Sequence, residues 1–314
     1  MKSIEILTTD PVRLDIALAT ALEISRAKAQ KIIAAERVFV DGSKANAHVM
    51  VSSSSTVEIE DEVFDIAAPA KSLPPLSILY EDDNVIVVNK PAGLLVHPTI
   101  SSTELTLVDS LRVHFPAIDT IGDDKKRSGI VHRLDKEASG VLIVAKTNVA
   151  FAHLKTQFAD RRTQKQYRVL VMGSVLDDSG TITFPIARSK THARMAARPQ
   201  SQDGKEAITH FDVIERYANA TLLDVRIETG RTHQIRAHFF ALGHPVAGDK
   251  VYIKRGIKQL PLPRLFLHAQ SLTLTLPGGE PMTFTAPFPD ELDAVLKTLT
   301  VTTKKILPGI GTLS

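Results

Sequence analysis

The sequence predicts an α+β protein in two domains: a small one of helices beside a small sheet, and a larger one of roughly two hundred and forty residues. Three observations carry this. Leu14, Leu18 and Leu22 recur at helical spacing near the start. Residues 66–76, IAAPAKSLPPL, hold three prolines and no periodicity, as an extended linker would. Val141 to Ala145 is a β-type apolar run, and a His-Arg-Leu-Asp-Lys cluster stands just before it, where a strand would hold charged groups rigidly. With 314 residues and 43% hydrophobic content, the chain can bury a large core.

In the first domain, residues 13–23 form a helix. Ser25 suits the N-cap of a second helix, in which Ala29, Ile32 and Ile33 share one side and Arg26, Lys28 and Lys31 face solvent. Residues 38–40, an Asp41-Gly42 turn and residues 56–60 read as short strands. An ordinary solvated face explains the basic side of the second helix on charge alone.

Composition excludes several classes. With no cysteine there is no disulfide framework, thiolate nucleophile or cysteine-type zinc site, which suits the reducing cytoplasm. The first fifteen residues lack the apolar segment of a signal peptide, and no run approaches the length of a membrane span, so a cytoplasmic location and no membrane partner are expected. Residues 1–71 carry 8 Lys or Arg against 11 Asp or Glu, and residues 72–314 carry 30 against 24, so the larger domain supplies the basic surface. A pI near 9.0 is compatible with a polyanionic partner.

The second domain opens with two strands in residues 77–90, turning at Glu81-Asp82-Asp83-Asn84. NKPAGLLVHP follows as a loop in which His97 is expected to be a hydrogen-bonded structural residue, then a helix near 105–115 and a charged loop at 123–127. In HRLDKEASG a strand-like backbone would put Arg133 and Asp135 on one side, where an ion pair is the plain explanation. Asn148 suits the cap of a helix with Phe151, Leu154 and Phe158 turned inward and Arg161, Arg162 and Lys165 at its end. Residues 166–172 read as a strand with Tyr167 at its entry, by default a core aromatic. Residues 187–200 hold Arg188, Lys190, Arg194 and Arg198 with no acidic residue, and as a hairpin tip would suit a phosphate backbone. A strand over 220–229 runs into GRTHQIRAHFFALGH, with Thr232 as N-cap, Ile235, Phe239 and Leu242 buried, Gly243 as the stop and Arg236 off the buried face. His233 and His238 are five apart with no carboxylate between them, so no metal site is expected.

Six segments together carry a resemblance: NKPAGLLVHP, HRLDKEASGVLIVAKT, KQYRVLVMG, GKEAITHFDVIERY, ETGRTHQIRAHFFALGHPVAGDKVY, and LHAQSLTLTLP with APFP. In order and spacing they resemble the RluA/RluD family of pseudouridine synthases, over nearly all of residues 77–290. RLDIALATALEISRAKAQKIIAAERVFVDGSKA resembles the alpha-L RNA-binding motif first named from a ribosomal protein. The chain departs from the family at Glu137 and Ala138, where relatives often read Asp-Thr. The resemblance implies a mixed, mainly antiparallel sheet in a catalytic domain over 77–314, an RNA-binding domain over 1–65, and 66–76 as linker. It implies Asp135 as the catalytic carboxylate, Tyr167 against the target base and Arg236 in a salt bridge with Asp135. Arg26, Lys28, Lys31 and Arg37 would touch RNA, and Arg133 would be free to fill the space a flipped base vacates.

The implied reaction isomerises uridine to pseudouridine within RNA, with no cofactor, no metal and the base extruded. Large-subunit (23S) ribosomal RNA is the expected substrate, transfer RNA the alternative, and a monomer is expected. Asp135 could attack the sugar C1′ or base C6, or act as a base at C2′. A catalytically silent RNA-binding assembly factor would not need Asp135, Tyr167 and Arg236 together. A nucleosidase or glycosidase would call for a second carboxylate to handle water.

Overall fold

The structure, a computed structural model, describes residues 1–8, 10–22, 24, 26–60, 73, 75–98, 104–189, 191–198 and 203–302. Ser25, Lys190 and most of the expected linker lie outside them. The chain forms two compact units, one within Met1–Leu73 and one from Pro74 onward.

The first unit contains β1 (Lys2–Ile4), β2 (Val12–Arg13), α1 (Leu14–Ala21), α2 (Arg26–Ala34), β3 (Val38–Val40), β4 (Ser43–Lys44), β5 (Met50–Val51) and β6 (Val57–Ile59). Its sheet runs β1-β6-β3-β4, and β2 pairs β5. Leu14, Leu18, Ala29 and Ile33 bury their helical stripe against Val38, Val57 and Ile59, as their spacing requires. Asp41 and Gly42, at φ 51° and 77°, make the tight turn between β3 and β4. Between the helices lies Asp15, with a fully buried side chain. It accepts from Arg13 Nε and Nη2 (3.1 and 3.0 Å), Arg26 Nε (3.0 Å) and Gln30 Nε2 (2.6 Å). Arg13's hydrogen bond, above all, holds this carboxyl well below the usual carboxylate range.

The second unit contains β7 (Ile78–Glu81), β8 (Val85–Lys90), α3 (Leu107–His114), β9 (Ser139–Ala145), α4 (Asn148–Ala159), β10 (Gln164–Met172), β11 (Ser179–Ile182), β12 (Ile186–Arg188), β13 (Met195–Ala197), β14 (Thr209–Tyr217), β15 (Ala220–Ile227), α5 (Gln234–Ala241), β16 (Leu267–Thr275), β17 (Pro281–Thr285) and α6 (Asp290–Thr298). The described residues build a nine-stranded sheet in the order β11-β14-β15-β10-β16-β9-β8-β7, with β17 also on β16. Pairing is antiparallel apart from β9 beside β16. All seven residues of β9 are buried, which fits a central strand covered on both faces. Leu142, Val169, Leu223 and Phe239 pack on one face with α3 and α5, while Val141, Ile143, Leu154 and Leu272 pack on the other.

Several local expectations change. HRLDKEA is a loop with a turn, not a strand, so Arg133 and Asp135 are not aligned by pleat. Thr147 caps α4 by accepting from Ala150 N, while Asn148 ties down the 120–122 loop. Lys165 belongs to β10 and does not end a helix. His233 rather than Thr232 is the N-cap of α5, and its side chain makes no cap hydrogen bond. Leu242 is exposed and Arg236 is buried. Gly243, at φ 91°, follows the end of the helix as expected.

Candidate active site

The Asp135 loop is fixed on the side that follows Asp135 by two contacts no solvated loop would have. After it, Gly140 adopts φ +117°, and a Cβ there would lie 2.1 Å from the Ala269 carbonyl oxygen, so only glycine permits the parallel approach of β9 and β16. Before it in sequence, Lys90 is fully buried at the end of β8. Its Nζ donates to the carbonyls of Pro91 (2.7 Å), Leu94 (2.9 Å) and Lys136 (3.2 Å), binding the NKPAGLLVHP loop to the residue after Asp135. Burial pulls Lys90 down to about 7. Three carbonyl acceptors match the three donors of an ammonium, so these bonds oppose that loss of charge.

Arg236 reaches Asp135 from α5, 101 residues later in the chain. Its Nη1 donates to Asp135 Oδ2 at 2.9 Å, with the two side chains only 7% and 14% exposed. Nε and Nη2 donate to the two carboxylate oxygens of Asp249 at 2.7 and 2.9 Å. Asp249 also accepts from the amides of Val251 (2.8 Å) and Tyr252 (3.0 Å). Burial works to raise the Asp249 pKa, but Arg236 and the two amides outweigh it and hold the group below the usual carboxylate range. The Tyr252 ring lies 5.1 Å from the guanidinium centre. Planar Arg236 is therefore locked by Asp249 and Tyr252, and its remaining edge orients Asp135. His233 stands at the start of α5 in a left-handed conformation, φ 55°, with Nδ1 3.3 Å from the Tyr252 hydroxyl.

Asp135, Arg236 and His233 line a cleft of about 430 Å³ together with Tyr167, His132 and Lys165. Tyr167 is buried on β10; opposite it the pairing skips Gln270, so the irregularity lies on β16 and β10 keeps its alternation. Burial, then the Asp135 charge, raises its hydroxyl pKa above the ordinary value, so the ring enters the site as a neutral phenol. His132 stacks on Phe158 with centroids 4.6 Å apart, and its Nε2 accepts from Ile143 N at 3.0 Å. His97, expected to be structural, does bond the Pro98 carbonyl, yet it also lines the cleft.

The structure thus brings Asp135, Tyr167 and Arg236 into one cleft, with the exposed Arg133 at its wall. Arg188 is exposed on β12, while Arg194 and Arg198 are half-buried. Arg194 packs over Phe240 (4.4 Å) and Tyr252 (4.9 Å) and donates to Val251 O, so it braces the hairpin against α5. In the first unit Lys28 and Lys31 are exposed, and Arg26 is engaged by Asp15 with half its side chain in solvent. Sequence reasoning gave no role in the site to Asp249, His132, Lys165 or His233. Asp249 stood inside the quoted GHPVAGDKVY segment, but nothing local marks it as the partner of Arg236. Among the described residues no group of three or more His, Cys, Asp or Glu could hold a metal ion, and no helix is long and apolar enough to cross a membrane.

The cleft thus presents a carboxylate held by a buried guanidinium beside a neutral tyrosine, an arrangement chemically able to supply a nucleophile or base. The family described as RNA pseudouridylate synthase matches residues 84–241, and the S4 domain family matches residues 12–57. An uncharacterised RNA pseudouridine synthase of Synechocystis is 38% identical over 291 residues, covering 91% of this chain and 88% of the relative. Ribosomal large subunit pseudouridine synthase D of Nitrosomonas europaea is 39% identical over 299 residues, covering 92% of this chain and 84% of the relative. The solved structure of human RNA Pseudouridylate Synthase Domain Containing 1 is 29% identical with a TM-score of 0.60, over 76% of this chain and 94% of that one. The chain belongs to the RNA pseudouridine synthase family; it is an isomerase carrying an N-terminal S4 RNA-binding domain.

Proposed function

We propose that the protein converts uridine to pseudouridine in large-subunit ribosomal RNA, with Asp135 as the catalytic carboxylate. The observation that carries this is the 2.9 Å bridge from Arg236 to Asp135 beside Tyr167. Arg236 takes one oxygen, Oδ2, and leaves Oδ1 for the substrate. Isomerisation breaks the bond from ribose C1′ to N1, turns the base in place and joins C1′ to C5, with the C5 proton lost and one gained at N1. The carboxylate serves as nucleophile toward the sugar or base, or as base at C2′. The neutral Tyr167 ring packs on the uracil and keeps water from the cleaved bond. Reaching the cleft requires the uridine to leave its stack, at roughly a few kcal/mol, and Arg133 is poised to fill the gap. The relatives named ribosomal large subunit pseudouridine synthase D support the choice of RNA.

In this reading residues 1–65 are an RNA-binding domain, 66–76 a linker and 77–314 the catalytic domain. Lys28 and Lys31 contact RNA from the first, with Arg26 sharing its charge with Asp15, and Arg188, Arg194 and Arg198 belong to the hairpin beside the cleft. The test compares ribosomal RNA from cells with and without the gene product by chemical mapping of pseudouridine, and assays Asp135→Asn by mass spectrometry. The reading expects specific pseudouridines to vanish with the gene and the variant to form none. An unchanged pseudouridine map, or an active Asp135→Asn, would overturn it.

A further inference from the structure

One end of the cleft holds a cation that the mechanism does not use. Lys165 is only 8% exposed and lines the cleft. Its Nζ makes one long hydrogen bond, to Glu228 O at 3.3 Å, and lies 5.9 Å from the Phe158 ring centroid. The charged group acting on it is Arg161, itself paired with Glu206, and among the described residues no carboxylate offsets it. Lys155, which also lines the cleft, is committed to Asp123. His132 adds a second unused donor: because Nε2 accepts from Ile143 N, the ring proton is on Nδ1, which has no partner among the described residues. Burial and then the Lys165 charge keep this imidazole neutral, at about 3. A buried cation is normally paired, since leaving its charge uncompensated in a low-dielectric site is costly. This one faces an open cleft that receives a polyanion.

Resting on the assignment of RNA as substrate, we propose that Lys165 and the Nδ1–H of His132 form a subsite for a backbone phosphate adjoining the target uridine. Register supports this. Lys165 and Tyr167 alternate with Gln166 and share a face of β10, roughly 7 Å apart along the strand, so a base against Tyr167 brings its own or the next phosphate to Lys165. Phosphate would complete the charge pair that the described residues do not supply, and the Phe158–His132 stack forms one side of the subsite.

The test replaces single phosphates on either side of the target by neutral methylphosphonates in an RNA oligonucleotide, with wild type, Lys165→Met and Lys165→Arg. Turnover of unmodified RNA by wild type reports on the enzymatic function alone, and filter binding reads the subsite whether or not turnover occurs. One methylphosphonate position should weaken wild-type binding and raise KM on the order of tenfold, the scale of one charge-assisted contact. Lys165→Met should show the same loss on unmodified RNA and none further at that position, with Lys165→Arg recovering most of it. Losses that add, or methylphosphonates without effect at every flanking position, would overturn the proposal.

Discussion

Replacing Asp249 by Asn tests whether the Arg236–Asp135 bridge is built from behind. Asp249 holds two guanidinium nitrogens at 2.7 and 2.9 Å with no side-chain exposure, and it also collects two backbone amides. Asn keeps the shape, removes the charge and turns one acceptor into a donor facing an N–H. Breaking a buried ion pair costs about 3–5 kcal/mol, and the low end applies because Asp135 still balances Arg236. At roughly 2–4 °C per kcal/mol for a unit of this size, the melting temperature should fall by about 6–12 °C. Arg236 then leans toward Asp135 and misplaces it, and an error near 1 Å costs on the order of 10²-fold in rate. Single-turnover pseudouridine formation should show that loss in kcat with KM nearly unchanged. Undiminished kcat would refute the positioning argument, and an unchanged melting temperature would refute the energetic one.

Other expectations follow from the same geometry. Arg133→Ala should slow turnover of structured RNA more than of an unstructured oligonucleotide, and equal losses on both would dismiss a role in base extrusion. Gly140→Ala forces a Cβ against Ala269 O at a left-handed φ, and should destabilise the second unit on the order of 3 kcal/mol in urea melts; wild-type stability would contradict the close approach. Lys90 lies at about 7 in the native state against 10.5 ordinarily, so between those values the unfolded chain binds more protons. Stability should therefore rise with pH from about 7 toward 10.5, and Lys90→Met should flatten that rise; parallel slopes in the two proteins would rule it out. Lys165, lowered to about 8 by burial and then by Arg161, loses its proton as pH rises through 8, so KM for RNA should climb there in wild type and not in Lys165→Arg.

Particular residues mark where local reading stopped. Leu14, Leu18, Ala29 and Ile33 announced their helices because period and burial coincide. Arg236 was assigned its partner through family resemblance, yet its own periodicity put it off the buried face. A buried ion pair and a solvated charge look alike in a hydrophobic pattern, so its burial became legible only with Asp249 and Asp135 in place. Lys165 misled for a similar reason: after two arginines it read as the basic end of a helix, whereas β10 turns it into the cleft beside Tyr167.

By itself the sequence determined the two-part organisation, the strand that follows HRLDK and the turns that need glycine, and through its resemblance to a family it singled out Asp135, Tyr167 and Arg236 as candidates. These depend on spacing within a few residues, or on segments whose order alone identifies them. Tertiary structure decided which charges are buried, that Asp249 holds Arg236, that Arg26 and Arg194 are braced by their neighbours, and that Lys165 pairs with no carboxylate among the described residues. Such outcomes depend on what segments up to 101 residues apart bring to one dehydrated place, where a charge must find a partner from the protein or from its ligand.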